Sequence, residues 1–220
     1  YTRAKTVHSF NTPGTVLQCS HVIGARLDAV LGGNQVEGPV LRDPTLFGHA
    51  AVKEPHTRPG LKSLGIWQRP DSLPPDIKWE VPIGEVETAV ARAFSTWTVW
   101  RLYADPPYWE GPVAQWAGRY GDKVVVEWWT NRTRQMSYAL RSFATAIRAG
   151  DVAHDGDARL ASHIGNAIRI DSGRFDDVGT LWTIAKERPG SPHKIDGAMA
   201  ACLSWEARMD AITSGANNVS

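Results

Sequence analysis

Val99-Trp100-Arg101-Leu102-Tyr103-Ala104-Asp105-Pro106-Pro107 is the stretch on which the fold turns. A run rich in strand formers meets two prolines, which cannot donate to a ladder and hold the residue before them in extended backbone. A strand is therefore predicted over 99–104, with Asp105 just past its C-terminal end. Upstream, Pro82 opens a helix whose apolar residues Val86, Val90, Phe94 and Trp97 fall on one stripe. Downstream, a short helix over about 108–120 stops at Gly121, and Val124-Val125-Val126 reads as a strand buried on both faces. Thr130 or Asn131 is placed to cap a helix carrying Met136, Leu140, Phe143 and Ile147 on one face, and Gly150 ends it. Strand, helix, strand, helix in this order predicts parallel pairing through right-handed crossovers.

Further out the pattern is looser. Residues 1–20 show no clean period and read as an irregular extension. Three short apolar stretches, 21–31, 46–52 and 61–67, separated by Gly- and Pro-rich connections, suggest an antiparallel meander. Past Gly150 come a polar turn, His154-Asp155-Gly156-Asp157, a helical piece over 160–167, and two strand-like pieces near Ile168 and Leu181 that could form a hairpin. Ser191 then reads as an N-cap with Pro192 in the first helical position. The long helix that follows runs to about Ile212 with Ile195, Met199, Cys202 and Trp205 inward, and 214–220 is a polar tail. The whole reads as α/β, one domain over 21–213. Its order resembles that of the ribonuclease-H-like fold, a mixed sheet flanked by helices.

The bulk properties narrow the class. The chain has 220 residues, enough for one filled α/β domain, and opens on Tyr1 as a fragment or processed product would. Its 24 basic and 23 acidic side chains leave a net charge of +1, unlike a binder driven by a basic tail. Cys19 and Cys202 read as buried free thiols of a reducing compartment. No apolar run approaches the ~20 residues that span a bilayer, and no signal-peptide pattern opens the chain. The expectation is a soluble intracellular domain.

Asp105 leads the candidate chemistry, because open α/β sheets place their sites at the C-terminal ends of strands. A carboxylate there can hold a hard cation such as Mg²⁺. Asp196 lies in the first turn of the last helix, where the helix dipole favours an anion and where Gly197, Ala198, Ala200 and Ala201 permit close approach to the sheet. Two metals ~4 Å apart need further bridging carboxylates. The fold order puts the third on the first strand, where Asp28 is best placed, with Asp43 and Glu37 as substitutes. His154, Asp155 and Asp157 are read mainly as a solvated turn capping the next helix. Lys186, Arg188, His193 and Lys194 surround the approach to Asp196 and are positioned to grip phosphates. Of the ten tryptophans, Trp109, Trp116, Trp128 and Trp129 fit helix–sheet packing better than base stacking. No G-x-x-x-x-G-K-[ST] loop occurs, so the acidic strand ending at Glu127 is not read as part of an ATPase.

Three runs carry a family likeness: Tyr103-Ala104-Asp105-Pro106-Pro107-Tyr108-Trp109 with Val126-Glu127-Trp128-Trp129-Thr130-Asn131; His154-Asp155-Gly156-Asp157 with His163 and Gly165-Asn166-Ala167; and Lys186 through Asp196. Together they resemble the C-terminal nuclease domain of large terminase subunits from phages and prophages of actinobacteria, over about residues 61–213. The resemblance implies a two-metal endonuclease (a hydrolase of phosphodiester bonds) using Mg²⁺ or Mn²⁺ to cut concatemeric phage DNA during genome packaging. Asp105 and Asp196 match two of the family's acids. The first acid of the family sits in a Gly-aromatic-Asp-Gly-like turn, and here the comparable Gly32-Gly33-Asn34-Gln35-Val36-Glu37-Gly38 has no aspartate. The implied partners are double-stranded DNA, the terminase ATPase half, the small terminase subunit and the portal, in the cytoplasm of a bacterial host and with no membrane. Two rivals accompany this reading: a non-catalytic module that docks on DNA or the portal, and a ribonuclease-H-like recombinase or transposase.

Overall fold

The strand predicted from 99–104 forms the middle of a small mixed sheet. The computed structural model describes residues 22–24, 60–70, 72–74 and 76–216. In chain order these give β1 (Val22–Gly24), β2 (Gly60–Leu61), α1 (Ile83–Thr96), β3 (Arg101–Ala104), α2 (Glu110–Tyr120), β4 (Val125–Glu127) and α3 (Thr133–Ala149). There follow β5 (Ala153–His154), α4 (Ala158–Gly165), β6 (Ile168–Asp176), β7 (Gly179–Ala185) and α5 (Asp196–Thr213). The first sheet has the order β1-β3-β4, with β1 antiparallel and β4 parallel to β3. The parallel register pairs Leu102 with Val125, Tyr103 with Val126 and Ala104 with Glu127.

Alternation along β3 divides the interior in two. Leu102 and Ala104 pack with Val125, with Val86, Val90 and Ala93 of α1, and with Trp109, Val113 and Trp116 of the α2 segment. Tyr103 points to the other face, into a cluster built from α3, α4, β7 and α5. Both faces of the strand pair are thus covered by helices, which is why 124–126 carries no polar residue. The predicted stripe of α3 is buried throughout, with Met136 at 0% exposure, and Gly150 closes the helix in the left-handed region at φ 71°. On α1 the inward position is Ala93 rather than Phe94, and Phe94 instead stacks on Tyr120 with ring centroids 3.7 Å apart. Trp109, Trp116 and Trp128 are core residues, and Trp129 is partly buried. Cys202 is a buried free thiol, while Cys19 lies outside the described residues.

Two expectations change. The antiparallel meander is not formed by 61–67: only Gly60–Leu61 is a strand there, and it pairs in parallel with β5. Its partner lies some ninety positions along the chain (Leu61 opposite His154), which no local periodicity can encode. Residues 46–52 are outside the described residues. The last helix begins at Asp196, not at Pro192. The Ser191 hydroxyl serves a turn instead, accepting from His193 N–H at 3.1 Å and donating to Glu187 at 3.1 Å. Among the described residues no helix is long and apolar enough to cross a membrane.

The predicted hairpin is β6–β7, antiparallel from Ile168 opposite Ala185 to Asp176 opposite Gly179. β7 buries Leu181, Trp182 and Ile184, while β6 is largely exposed. At the tip, Asp176 Oδ1 accepts from the N–H groups of Val178 and Gly179 at 2.9 Å each, and Gly179 takes φ 132°. Arg141 of α3 clamps this tip. It meets Asp176 Oδ2 at 2.7 Å and donates to the carbonyls of Gly179 and Thr180 at 3.1 and 2.7 Å. The Arg141 guanidinium holds the Asp176 carboxyl below the usual carboxylate range. A depressed folded value means that this stabilisation is complete above the ordinary carboxylate pKa of about 4 and is lost as pH falls through the lowered value. Protection factors of the tip amides, corrected for the intrinsic exchange rate, should accordingly fall in acid, and at neutral pH in Arg141→Ala, with α3 and α5 unaffected. Equal tip protection in parent and variant would remove the clamp assignment.

Candidate active site at the tip of the central strand

Asp105 follows the last residue of β3 and is partly buried. The chain turns at once: Pro106 is fully buried, and Trp109 N–H donates to the Pro106 carbonyl at 2.7 Å. Within this turn Tyr108 adopts φ 69°, among the described residues the non-glycine in the left-handed region, with its ring 82% exposed. That conformation costs roughly 1–2 kcal/mol for a bulky side chain.

β4 supplies the partner for the carboxylate. Trp128 N–H donates to the Ala104 carbonyl at 2.7 Å and extends the ladder past Glu127, so the segment after β4 passes the tip of β3. Thr130 there donates twice to Asp105, from its backbone N–H to Oδ1 at 3.2 Å and from its hydroxyl to Oδ2 at 2.6 Å. Thr130 is therefore not the cap of α3. That helix begins after Arg132 and has no side-chain cap, so neither Thr130 nor Asn131 caps it. A Thr before a helix carries the same local signal for either use, so only the neighbouring strand reveals which one operates.

Asp196 is the first residue of α5, where a carboxylate gains about 0.3–1 kcal/mol from the helix dipole. The next N–H, that of Gly197, donates to His163 Nδ1 of α4 at 2.9 Å. His163 is buried, and this desolvation lowers its pKa despite the opposing pull of Asp196. Nδ1 accepts, so the ring is neutral with its proton on Nε2. The small residues expected to permit close approach do so: a Cβ built on Gly197 would lie 2.8 Å from His163 Nδ1.

The predicted basic residues are less free than the sequence suggests. Glu187 lies between His193 Nδ1 at 3.3 Å and Arg188 Nε at 3.8 Å, and the imidazole and the Ser191 hydroxyl hold its carboxyl below the usual range. Lys194 is partly buried; burial and the nearby Lys186 ammonium lower its pKa, and Asp196 opposes them. The polar turn is largely structural. Asp157 caps α4 by accepting from Arg159 N–H at 2.8 Å and Leu160 N–H at 3.4 Å, and Asp155 accepts from Ser63 N–H at 3.1 Å. His154 is buried, with Nδ1 accepting from Gly156 N–H at 3.2 Å.

Asp105 is thus gathered with Thr130, and Asp196 with His163 and Lys194. Among the described residues no group of three or more His, Cys, Asp and Glu side chains is close enough to hold a metal ion. Asp28, Asp43 and Glu37, the candidates for the third acid, lie outside the described residues.

No protein-family model matches the chain, and no solved structure matches it. It is 30% identical over 144 residues to the Gene 13 protein of Mycobacterium phage L5, an alignment covering 61% of this chain and 23% of that protein. To the Gene 13 protein of Mycobacterium phage D29 it is 31% identical over 144 residues, with the same coverage. Both relatives are phage proteins. The chain spans under a quarter of the length of these curated relatives.

Proposed function

We propose that this chain is the nuclease part of a bacteriophage DNA-packaging protein, a metal-dependent endonuclease of ribonuclease-H-like fold that acts in the host cytoplasm. The observation that carries the reading is the fixed carboxylate of Asp105 at the tip of the central parallel strand. Thr130 orients that carboxylate with two donors from a neighbouring loop, which supports a pre-organised ligand position. Likeness to mycobacteriophage proteins adds support for the phage origin.

Asp105 suits a hard cation. A carboxylate offers about four lone-pair directions, and Thr130 uses one on each oxygen, which leaves others for a metal. Asp196, partly exposed at the start of α5, is the second donor, and Asp28 or Asp43 the third. Two ions of Mg²⁺ or Mn²⁺, when bound, supply Lewis acidity at the phosphodiester and offset charge on the leaving oxygen. The residues themselves orient these oxygens, and Lys186 and Lys194 add positive charge beside Asp196. The partners in this reading are double-stranded DNA, the ATPase half of a terminase, its small subunit and the portal.

A second reading is a docking module without catalysis, motivated by the Gly32–Gly38 segment, which has no aspartate where the resembled family carries its first acid. Plasmid nicking in Mn²⁺ separates the two. The parent should cut, and Asp105→Ala and Asp196→Ala should not. Binding of DNA without cutting, with no metal-dependent thermal shift, would select the docking module. Strand joining in the products would instead point to a recombinase.

A further inference from the structure

The surface between the start of α3 and the hairpin carries a basic groove that the sequence pattern does not announce. Arg132, Thr133, Arg134, Gln135 and Tyr138 line one wall and Arg174 of β6 the other, around an open space of about 500 Å³. Three guanidiniums therefore share one hollow whose lining holds no carboxylate. Arg132, Arg134 and Arg174 are all exposed, and neither Arg132 nor Arg174 is in a salt bridge among the described residues. Arg134 is set in place by its Nε, which donates to the Tyr138 hydroxyl at 2.9 Å. Two acids of the hairpin tip lie nearby, Asp176 paired with Arg141 and Asp177 in the adjoining hollow, and both act on the Arg134 guanidinium, which leaves Arg132 and Arg174 as the groove's test positions.

Position gives the groove its meaning. Arg132 stands two residues beyond Thr130, the residue that holds Asp105, so the segment that positions the candidate catalytic carboxylate leads directly into the groove. Its far wall is held by the Arg141 clamp, which fixes the hairpin tip against α3. We infer that this groove is a track for the phosphodiester backbone of duplex DNA, running from Asp105 along the first turns of α3 to Arg174. Arginine suits the task, because its planar fork meets phosphate oxygens in pairs and carries charge at any working pH. Contacts of this kind position a duplex without reading its sequence. The inference rests on the nuclease reading for its direction, and on the groove alone for its existence.

The test measures binding rather than cutting. A short labelled duplex is titrated in Ca²⁺ over a range of salt with the parent, with the double variant Arg132→Ala/Arg174→Ala, and with Arg132→Lys/Arg174→Lys. The alanine pair should weaken binding about tenfold or more at low salt and flatten the slope of log K against log salt by about two, one for each lost contact. The lysine pair should keep the parental slope. Both residues are exposed and outside the core, so melting temperatures should agree with the parent. Unchanged affinity and slope in the alanine pair would overturn the track, as would an equal loss in the lysine pair, or no duplex binding by the parent. Failure of the nuclease reading looks different: equal nicking by the parent and Asp105→Ala, whatever the salt slope.

Discussion

Nicking in Mn²⁺ is expected to fall roughly a thousandfold or more in Asp105→Ala, about 4 kcal/mol of transition-state stabilisation, but only ten- to a hundredfold in Thr130→Val. The two differ because the aspartate supplies donor atoms while the threonine only aims them. Valine keeps the shape of threonine and loses the 2.6 Å bond from the hydroxyl to Oδ2. The backbone N–H of residue 130 still reaches Oδ1, so the carboxylate becomes freer without being lost. Thr130→Ser restores the hydroxyl and should return most of the activity. A structural role alone predicts another outcome, in which Thr130→Val lowers stability and leaves the metal requirement as it was. Titrating Mn²⁺ separates them, since a loosened ligand raises the concentration needed for half-maximal cutting. If Asp105→Ala nicks as fast as the parent, the strand tip is not the site.

Gly197→Ala should lower the melting temperature on the order of 5–15 °C, from a cost of about 2–4 kcal/mol. The added methyl would sit 2.8 Å from His163 Nδ1 and 2.9 Å from its Cβ. Neither side can yield cheaply, because Gly197 belongs to a helix buried along most of its length and His163 is 4% exposed. To admit the methyl, α5 must move off α4 and the Gly197 N–H loses its acceptor. Calorimetry of a double-mutant cycle tests the cause. With His163→Ala the methyl has room, so the double variant should be more stable than the sum of the single losses implies. Additive losses would show that the clash lies elsewhere. The same contact predicts a pH dependence. The folded pKa of His163 is lowered, so its contribution is complete above about pH 6.5 and declines as pH falls from there through the folded value. His154, whose pKa burial also lowers, acts in the same direction.

How legible was this molecule in its sequence? β3 and β4 were, because a strand pair covered on both faces has an apolar middle, Leu102–Ala104 and Val125-Val126, and β3 stops where prolines remove its donors. α3 was, because Met136, Leu140, Phe143 and Ile147 repeat at the helical period and Gly150 supplies the left-handed close. The hairpin was expected, though its tip at Asp177-Val178 was not. The two misread caps share one cause. Thr130 and Ser191 each carry a hydroxyl that can cap a helix, brace a carboxylate or close a turn, and these uses look alike along the chain. The partner decides, and it is twenty-five positions away for Thr130. The arginine groove was missed for the same reason, since Arg132 and Arg174 are unremarkable until a hairpin folds across the start of α3.

Sequence by itself determined the mixed α/β class, the strand tip at Asp105 and the small-residue start of the last helix. Periodicity, proline geometry and side-chain size act over a few residues and leave their mark in the order of the letters. Tertiary structure alone decided that Thr130 grips Asp105, that Gly197 rests on His163, and that three arginines gather in one groove. Each depends on segments distant in the chain meeting through pairing and packing, and contact energies of that kind have no local signature.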